Sequence, residues 1–273
     1  MNIVVCIKQV PASSNVKVDP VTGVLIRDGV ESKMNPYDLF ALEAALSLRE
    51  SYGGTVHVLT MGPGPAQAIL KEAIYMGADD GILISDRRFG GADVLATAYT
   101  LSSAIRILNE ESPVDLVLCG KQTTDGDTAQ VGAEMAEYLG LPQYSNVQSL
   151  SASEQDIDAP AAIHIISSLG NELLHANISL PCVLCTDADI STPRLPSYLR
   201  KCRMDPLMKD LIRVFTLDDF ADKDPSHYGL NGSATSVERI FPPDKSDHHE
   251  VLQGDPRESA RVLCHLLKER KIV

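Results

Sequence analysis

The sequence predicts an α/β fold: a mostly parallel, doubly wound sheet with added antiparallel strands and a C-terminal arm. In the first half of the chain, short β-branched apolar runs alternate with segments of helical spacing. This alternation is typical of strands joined by right-handed helical crossovers. After residue 144 the strands flank tight turns instead, which indicates antiparallel pairing. From residue 189 onward, prolines and turn-forming residues dominate until one last helix.

The first strand and the first helix follow from simple local rules. Ile3–Gln9 is a short, apolar, β-branched run and predicts a buried strand. Alternation over Asn15–Asp28, around a turn with Pro and Gly, predicts a hairpin. A helix is expected to begin at Asn35, because Asn caps free N–H groups, Pro36 fits the first turn and Asp38 complements the helix dipole.

Strands and helices then alternate. Each strand is a short apolar run, and each helix keeps apolar residues three or four positions apart. The predicted order is strand Thr55–Met61, helix Pro65–Met76, strand Gly81–Ser85, helix Asp93–Asn109, strand Asp115–Cys119 and helix Thr128–Leu139. Such an order favours a parallel sheet covered on both faces.

In the second half of the chain, the predicted elements are successive strands in place of alternating strands and helices. Ala161–Leu169 and Leu173–Asn177 flank a Gly-Asn turn as in a hairpin, and Ser179–Thr186 is a further apolar strand. A last helix is expected from Pro256 to about Lys271. The predicted units are an α/β domain over residues 1–188, a partner-recognition loop over 189–213 and an arm over 214–273.

Composition limits the function classes. A chain of 273 residues with 44% hydrophobic content can bury a substantial core without a metal or disulfide. A net charge of −13 argues against nucleic-acid binding, since phosphates require clustered Lys and Arg. Six scattered cysteines, no basic-apolar leader and no apolar run long enough for a membrane span favour a cytoplasmic protein.

The stretch Gly120–Gly132 is the most informative, because it lies between an apolar strand and a helix. Open α/β sheets bind ligands at such a position, where glycines admit a close ligand and first-turn N–H groups meet phosphate. Plain helix capping is the alternative, since Asp127 and Gln130 have capping-box spacing. Asp125 and Asp127 would repel an anion unless they face a ribose or cap the helix.

Other motifs are weak. Gly62–Gln67 lacks the third glycine of a dinucleotide fingerprint, and the chain has no Gly-Lys-Ser/Thr phosphate loop. Cys182 and Cys185 fall within one strand and are expected to point to opposite faces as core residues. The pair His248-His249 is expected to be solvated, so no metal site is predicted.

Residues 194–213 carry six basic and two acidic side chains in a chain that is otherwise strongly negative. Apolar Leu195, Pro196, Tyr198 and Leu199 lie in the same segment. An apolar tip with basic flanks, among them Arg200 and Lys201, suits docking onto an acidic protein. A solvated linker is the alternative.

Several motifs together resemble the electron-transferring flavoprotein β family. They cover residues 1–200 strongly and reach the C-terminus more weakly. The motifs are Val5–Pro11, Asp19–Gly23 with Arg27–Val30, Met34–Asp38, Ala41–Ala45, Met61–Pro63, Ala73–Asp79 and Leu118–Gln122 running into Asp125–Val131. The resemblance implies a sheet of the adenine-nucleotide hydrolase-like type and an arm that wraps an α subunit.

The resemblance also implies a nucleotide site. The block Asp125–Gln130 is similar to that of anaerobe-type, electron-bifurcating members, which bind FAD there, whereas mitochondrial-type members hold a structural AMP. By motif match the cofactor would touch Cys6, Asn35, Pro36, Tyr37, Asp38, Met61, Gly120, Lys121, Gln122, Thr123, Thr124, Asp125, Gly126, Asp127, Thr128, Ala129, Gln130 and Val131.

The implied function is that of a redox subunit in an obligate heterodimer with the α subunit. NADH would give a hydride to the FAD, and electrons would pass to ferredoxin and, through an α-subunit FAD, to an acyl-CoA or hydroxy-acid dehydrogenase. NAD would be a transient substrate, and Leu195 would insert into the dehydrogenase. Two alternatives stay open: a non-bifurcating subunit holding AMP, and an ATP-using enzyme of the same fold group.

Overall fold

The computed structural model describes residues 1–12, 17–18, 25–26, 31–152, 162–238 and 251–272. Within them the strands are β1 (Asn2–Cys6), β2 (Gln9–Pro11), β3 (Lys17–Val18), β4 (Leu25–Ile26), β5 (Ser32–Met34), β6 (Thr55–Met61), β7 (Asp80–Ile84), β8 (Leu116–Gly120), β9 (Gln143–Ala152), β10 (Ala162–Ser168), β11 (Leu173–Ser179), β12 (Cys182–Thr186) and β13 (Ile212–Phe215). The α-helices of the same residues are α1 (Pro36–Tyr52), α2 (Gln67–Met76), α3 (Val94–Glu111), α4 (Val131–Leu139), α5 (Tyr198–Met204), α6 (Met208–Leu211) and α7 (Pro256–Glu269).

Nine of the described strands form one sheet, in the order β11-β10-β9-β12-β8-β1-β6-β7-β13. Pairing is parallel from β9 through β12, β8, β1, β6 and β7 to β13. It is antiparallel between β9 and β10 and between β10 and β11. The predicted fold class, a mostly parallel sheet with added antiparallel strands, is therefore confirmed.

Two apolar layers cover the sheet, because side chains alternate between its faces. In β1, Ile3 and Val5 pack with α1 and α2, whereas Val4 and Cys6 pack with α3 and α4. The four strands β8, β1, β6 and β7 are buried on both faces, as expected for a parallel sheet with helices on each side. This rigid centre fixes the positions of the strand ends that form the site described below.

The hairpin predictions agree with the observed pairing. β10 and β11 are antiparallel around Gly170, whose φ of +82° suits glycine. β3 pairs antiparallel with β4 inside the span Asn15–Asp28, although the turn Asp19–Gly23 lies outside the described residues. The pair His248-His249 lies outside them as well.

Several boundaries differ from prediction. Helix α4 begins at Val131, three residues after the predicted Thr128. β9 and β13 join the sheet without having been predicted as strands. In the segment predicted as a loop, α5 forms because the Ser197 side chain accepts a hydrogen bond from the Arg200 N–H and caps the helix.

The chain returns to the sheet at the end of the predicted recognition loop, residues 189–213. β13 pairs with β7, and Phe215, Leu217, Phe220 and Tyr228 are buried in the layer beneath α3 and α4. Residues 215–228, which belong to the predicted arm, therefore contribute to the core beside the sheet. In α7, which comes later in the chain, no residue is buried.

None of the helices in the described part of the chain combines the length and apolar character needed to cross a bilayer.

Candidate functional site

A cleft of about 360 Å³ lies at the carboxyl ends of β1, β6 and β8, between the first turns of α3 and α4. The carboxyl edge of a parallel sheet is the usual ligand position in this kind of fold. Of the residues predicted from sequence, those that line the cleft are Cys6, Asp38, Met61, Gly120, Lys121, Gln122, Thr123, Gly126, Thr128, Ala129, Gln130 and Val131.

The remaining predicted residues lie near the cleft without lining it: Asn35, Pro36, Tyr37, Thr124, Asp125 and Asp127. The cleft also includes groups that the sequence analysis missed, among them Lys8, Asp93, Thr97 and Met135. Asp93 carried a usable signal, since it precedes a helix that starts beside a strand end. Its side chain accepts a hydrogen bond from the Ala96 N–H.

Asn35 joins the first helix to the loop after β8. Its amide donates to the Gln122 carbonyl at 2.9 Å and accepts from the Thr124 N–H at 3.2 Å. It makes no side-chain capping bond to α1, so the predicted capping role is wrong. The amide is fully buried and serves tertiary contacts, because the adjacent loop presents backbone groups that have no other partner.

Asp38 lies at the floor of the cleft. Its carboxylate accepts hydrogen bonds from the Lys8 N–H at 2.7 Å and from the Asn35 amide at 3.0 Å. Burial raises the pKa of Asp38 to about 7, although these bonds act in the opposite direction. Asp38 thus ties the segment between β1 and β2 to the first turn of α1, a tertiary role that goes beyond the predicted complement to the helix dipole.

Two ion pairs flank the loop that follows β8. Lys8 Nζ contacts both Asp125 oxygens, at 2.7 and 2.8 Å, and Lys121 Nζ lies 2.9 Å from Asp187. Burial acts to raise the pKa of the Asp125 carboxyl, but the Lys8 ammonium balances the Asp125 charge, and this pKa is lowered overall. The expected repulsion between Asp125 and an anionic ligand is therefore reduced.

In the loop that leads to α4, the backbone φ angle changes sign. Asp127 and Ala129 have φ of +53° and +57°, whereas Gln130 has φ of −116°. Gln130 occupies the N-cap position without a side-chain bond, so the capping box that was the alternative for Asp127 and Gln130 does not form. Positive φ is unfavourable for a residue with a side chain, and such strain concentrates at functional sites.

Glycines in this region serve different purposes. A methyl group at Gly120 would lie 2.6 to 2.7 Å from Tyr37 atoms, so Gly120 permits close packing of β8 against α1. At Gly126 the nearest atom to an added Cβ is Thr123 Oγ1 at 3.4 Å, and the φ of Gly126 is not positive. Gly126 therefore has space on the cleft side and no backbone requirement for glycine.

Three cysteines form a row across β1, β8 and β12. The strand register aligns Cys6 with Cys119 and Cys119 with Cys185. Contact with Cys119 and burial raise the pKa of the Cys185 thiol, and burial raises that of Cys182 to about 12. Cys182 packs in the opposite apolar layer, so the two cysteines of the Cys-x-x-Cys motif act as separate core residues.

The segment predicted to dock a partner presents its apolar side chains to solvent. Leu195, Tyr198 and Leu199 are 86%, 76% and 69% exposed, and Pro196 is exposed too. Arg200, predicted as a basic flank that binds a partner, donates to carbonyl groups at the end of α2. Lys201 lies over the Tyr75 ring at 5.8 Å.

Comparison with known proteins gives a consistent result. Residues 22–206 match the electron transfer flavoprotein domain. The chain is 38% identical over 273 residues to an electron transfer flavoprotein subunit beta of Clostridium acetobutylicum and 39% to that of Thermoanaerobacterium thermosaccharolyticum. It is 40% identical over 275 residues to subunit CarD of a caffeyl-CoA reductase-Etf complex of Acetobacterium woodii. All three alignments cover 100% of both chains.

The matched domain spans more than half of the sequence, and three relatives align with it over their whole length. The resemblance noted in the sequence motifs is thereby confirmed: the chain belongs to the electron transfer flavoprotein family, as a β subunit.

Proposed function

We propose that this β subunit holds FAD in the cleft beside α4 and works as half of a heterodimer with an α subunit. The observation that carries this proposal is the group of free backbone donors at the start of α4. Among the described residues, no acceptor meets the N–H groups of Thr128, Ala129 and Gln130. Such donors, next to the positive end of a helix dipole, favour a phosphate.

The chain's own residues fit a flavin nucleotide. The donors of residues 128–130 would hold the pyrophosphate, while Lys8 and Lys121 line the cleft and balance the charges of Asp125 and Asp187. Met61, Leu101 and Met135 supply apolar walls that exclude water from a planar ring. Bound FAD would supply hydride and single-electron chemistry: hydride equivalents from NADH, electrons to ferredoxin and, through an α-subunit FAD, electrons to a dehydrogenase.

The second candidate is a structural AMP in a non-bifurcating β subunit. The volume of the cleft, about 360 Å³, lies at the lower end of the range for small-ligand pockets. The same N–H groups would hold the single phosphate of AMP. The two candidates therefore share donors and differ in whether a flavin accompanies the adenosine.

The exposed apolar surfaces of the chain indicate where partner proteins would bind. Helix α7 carries Val262 and Leu263 at 42% and 49% exposure, as expected of an arm that packs on an α subunit. Leu195, Tyr198 and Leu199 would contact an FAD-dependent dehydrogenase. The name of the Acetobacterium woodii relative, which places that protein in a complex with a reductase, supports such an arrangement. All six cysteines are free thiols, which fits a cytoplasmic location.

Nucleotide release from the purified αβ complex tests the proposal. The complex is denatured, and the released compounds are identified and counted against protein. Two FAD per heterodimer is the expected result. One FAD with one AMP would favour the second candidate, and absence of flavin would reject both. The α subunit purified alone serves as the control, because its own FAD must be subtracted.

A further inference from the structure

Two arginines hold the segment that bears the exposed apolar side chains. This docking segment, residues 193–204, includes α5 and presents Leu195, Tyr198 and Leu199 to solvent. Three unsupported apolar side chains on a loop would sample many conformations, and ordering them on binding would cost affinity. The structure instead fixes the segment from both sides.

Arg194 attaches the start of the docking segment to α1. Its backbone N–H and Nε both donate to Glu43 Oε2, at 3.0 and 2.8 Å, and Nη2 donates to Oε1 at 2.8 Å. Nη1 reaches Glu50 at 2.5 Å. The Glu43 side chain is only 10% exposed, so this contact is shielded from solvent more than a usual surface ion pair.

Arg200 attaches the other side to the end of α2. Its Nε donates to the Ile74 carbonyl at 2.6 Å, and Nη2 donates to the carbonyls of Gly77 and Ala78 at 3.0 and 2.6 Å. These carbonyl groups lie at the C-terminus of α2 or directly after it, where a helix leaves its last carbonyl groups without partners in the helix. The Ser197 N–H adds a bond to the Tyr75 carbonyl at 3.0 Å.

We propose that Arg194 and Arg200 are positioning residues, which hold the docking segment in its partner-binding shape before the partner arrives. The inference rests on the docking role proposed above. The guanidinium groups of these two arginines bond to groups within the chain. The two residues therefore position the segment and do not steer an approaching protein. Steering then depends on other basic side chains of the segment, such as Arg203, which is exposed and makes no hydrogen bond or ion pair with the described residues.

The test compares Arg200→Gln with Arg203→Gln in the αβ complex. Both changes remove one positive charge from α5, but only the first removes an anchor. We expect Arg200→Gln to speed amide exchange over residues 197–204 at least tenfold. It should raise the KM for an acyl-CoA dehydrogenase several-fold without changing kcat. Arg203→Gln should keep wild-type exchange and lower the salt dependence of kcat/KM more than Arg200→Gln does.

Wild-type exchange in Arg200→Gln would overturn the positioning role, and so would an unchanged KM despite faster exchange. Leu195→Ala separates this failure from failure of the docking role. If Leu195→Ala leaves KM unchanged, the docking role itself is rejected and the inference is rejected with it. If Leu195→Ala raises KM and Arg200→Gln does not, docking stands and only the positioning role is overturned.

Discussion

Gly132, in the first turn of α4, lies directly against the Sγ atom of Cys185 on β12. A methyl group added at Gly132 would overlap that sulfur and would lie 3.4 Å from Cys119 Sγ. Only glycine therefore lets the N-terminus of α4 approach the row of cysteines. This contact sets the position of the N–H groups to which we assign the phosphate.

The first prediction concerns this contact. Gly132→Ala should displace the start of α4, lower FAD retention in the β subunit and destabilise the fold by about 1–3 kcal/mol, because overpacking strains a dense core. Cys185→Ala removes the sulfur, so the double variant should recover most of the lost retention. FAD content after gel filtration and urea unfolding measure the two effects. Equal retention in wild type and Gly132→Ala would refute the role of this contact.

The second prediction concerns Asn35. Asn35→Ala leaves the Gln122 carbonyl and the Thr124 N–H without their partner, and each buried unsatisfied group costs about 1–3 kcal/mol. We expect lower stability in urea and weaker FAD retention. Asn109→Ala is the matched control, since its side chain also accepts from a backbone N–H, that of Val114, but far from the cleft. A similar loss of FAD in both variants would indicate a general effect on folding.

Hydrophobic periodicity predicted most of the fold, because it reports burial directly. β6 was predicted with its observed bounds, Thr55–Met61. β13 was missed since it has only four residues, of which only Phe215 is buried. Its pairing with β7 depends on tertiary context that local patterns do not contain.

The site was predicted less completely, for a physical reason. Capping rules describe a side chain and its own helix, whereas Asn35 and Arg200 bond to elements distant in sequence. Polar side chains act on whichever backbone groups the fold leaves unpaired, and sequence spacing does not reveal those groups. Charge composition alone therefore assigned Arg200 to partner docking and did not reveal its bonds to the carbonyl groups after α2.

The third prediction concerns pH. His227 Nδ1 lies 2.6 Å from Asp222 Oδ2, and this hydrogen bond raises the pKa of His227 above 6.5. A raised pKa in the folded state means that the stabilisation is complete below pH 6.5 and is lost as pH rises through the folded value. The difference in Tm between wild type and His227→Gln should therefore be larger at pH 6 than at pH 9. A difference independent of pH would show that the pair is not ionic.

The last prediction concerns Leu195, whose side chain is 86% exposed at the tip of the docking segment. Burying one leucine contributes roughly 1.5–3 kcal/mol, so Leu195→Ala should weaken binding of the dehydrogenase about tenfold or more. FAD content should not change, because residue 195 is not among those that line the cleft. Leu207→Ala is the matched control, since Leu207 is also an exposed leucine, at 48%, but lies after α5 and outside the docking segment. Electron transfer at sub-saturating dehydrogenase measures the effect. If both variants transfer electrons at the wild-type rate, the exposed leucine has no docking role and the segment is a solvated linker.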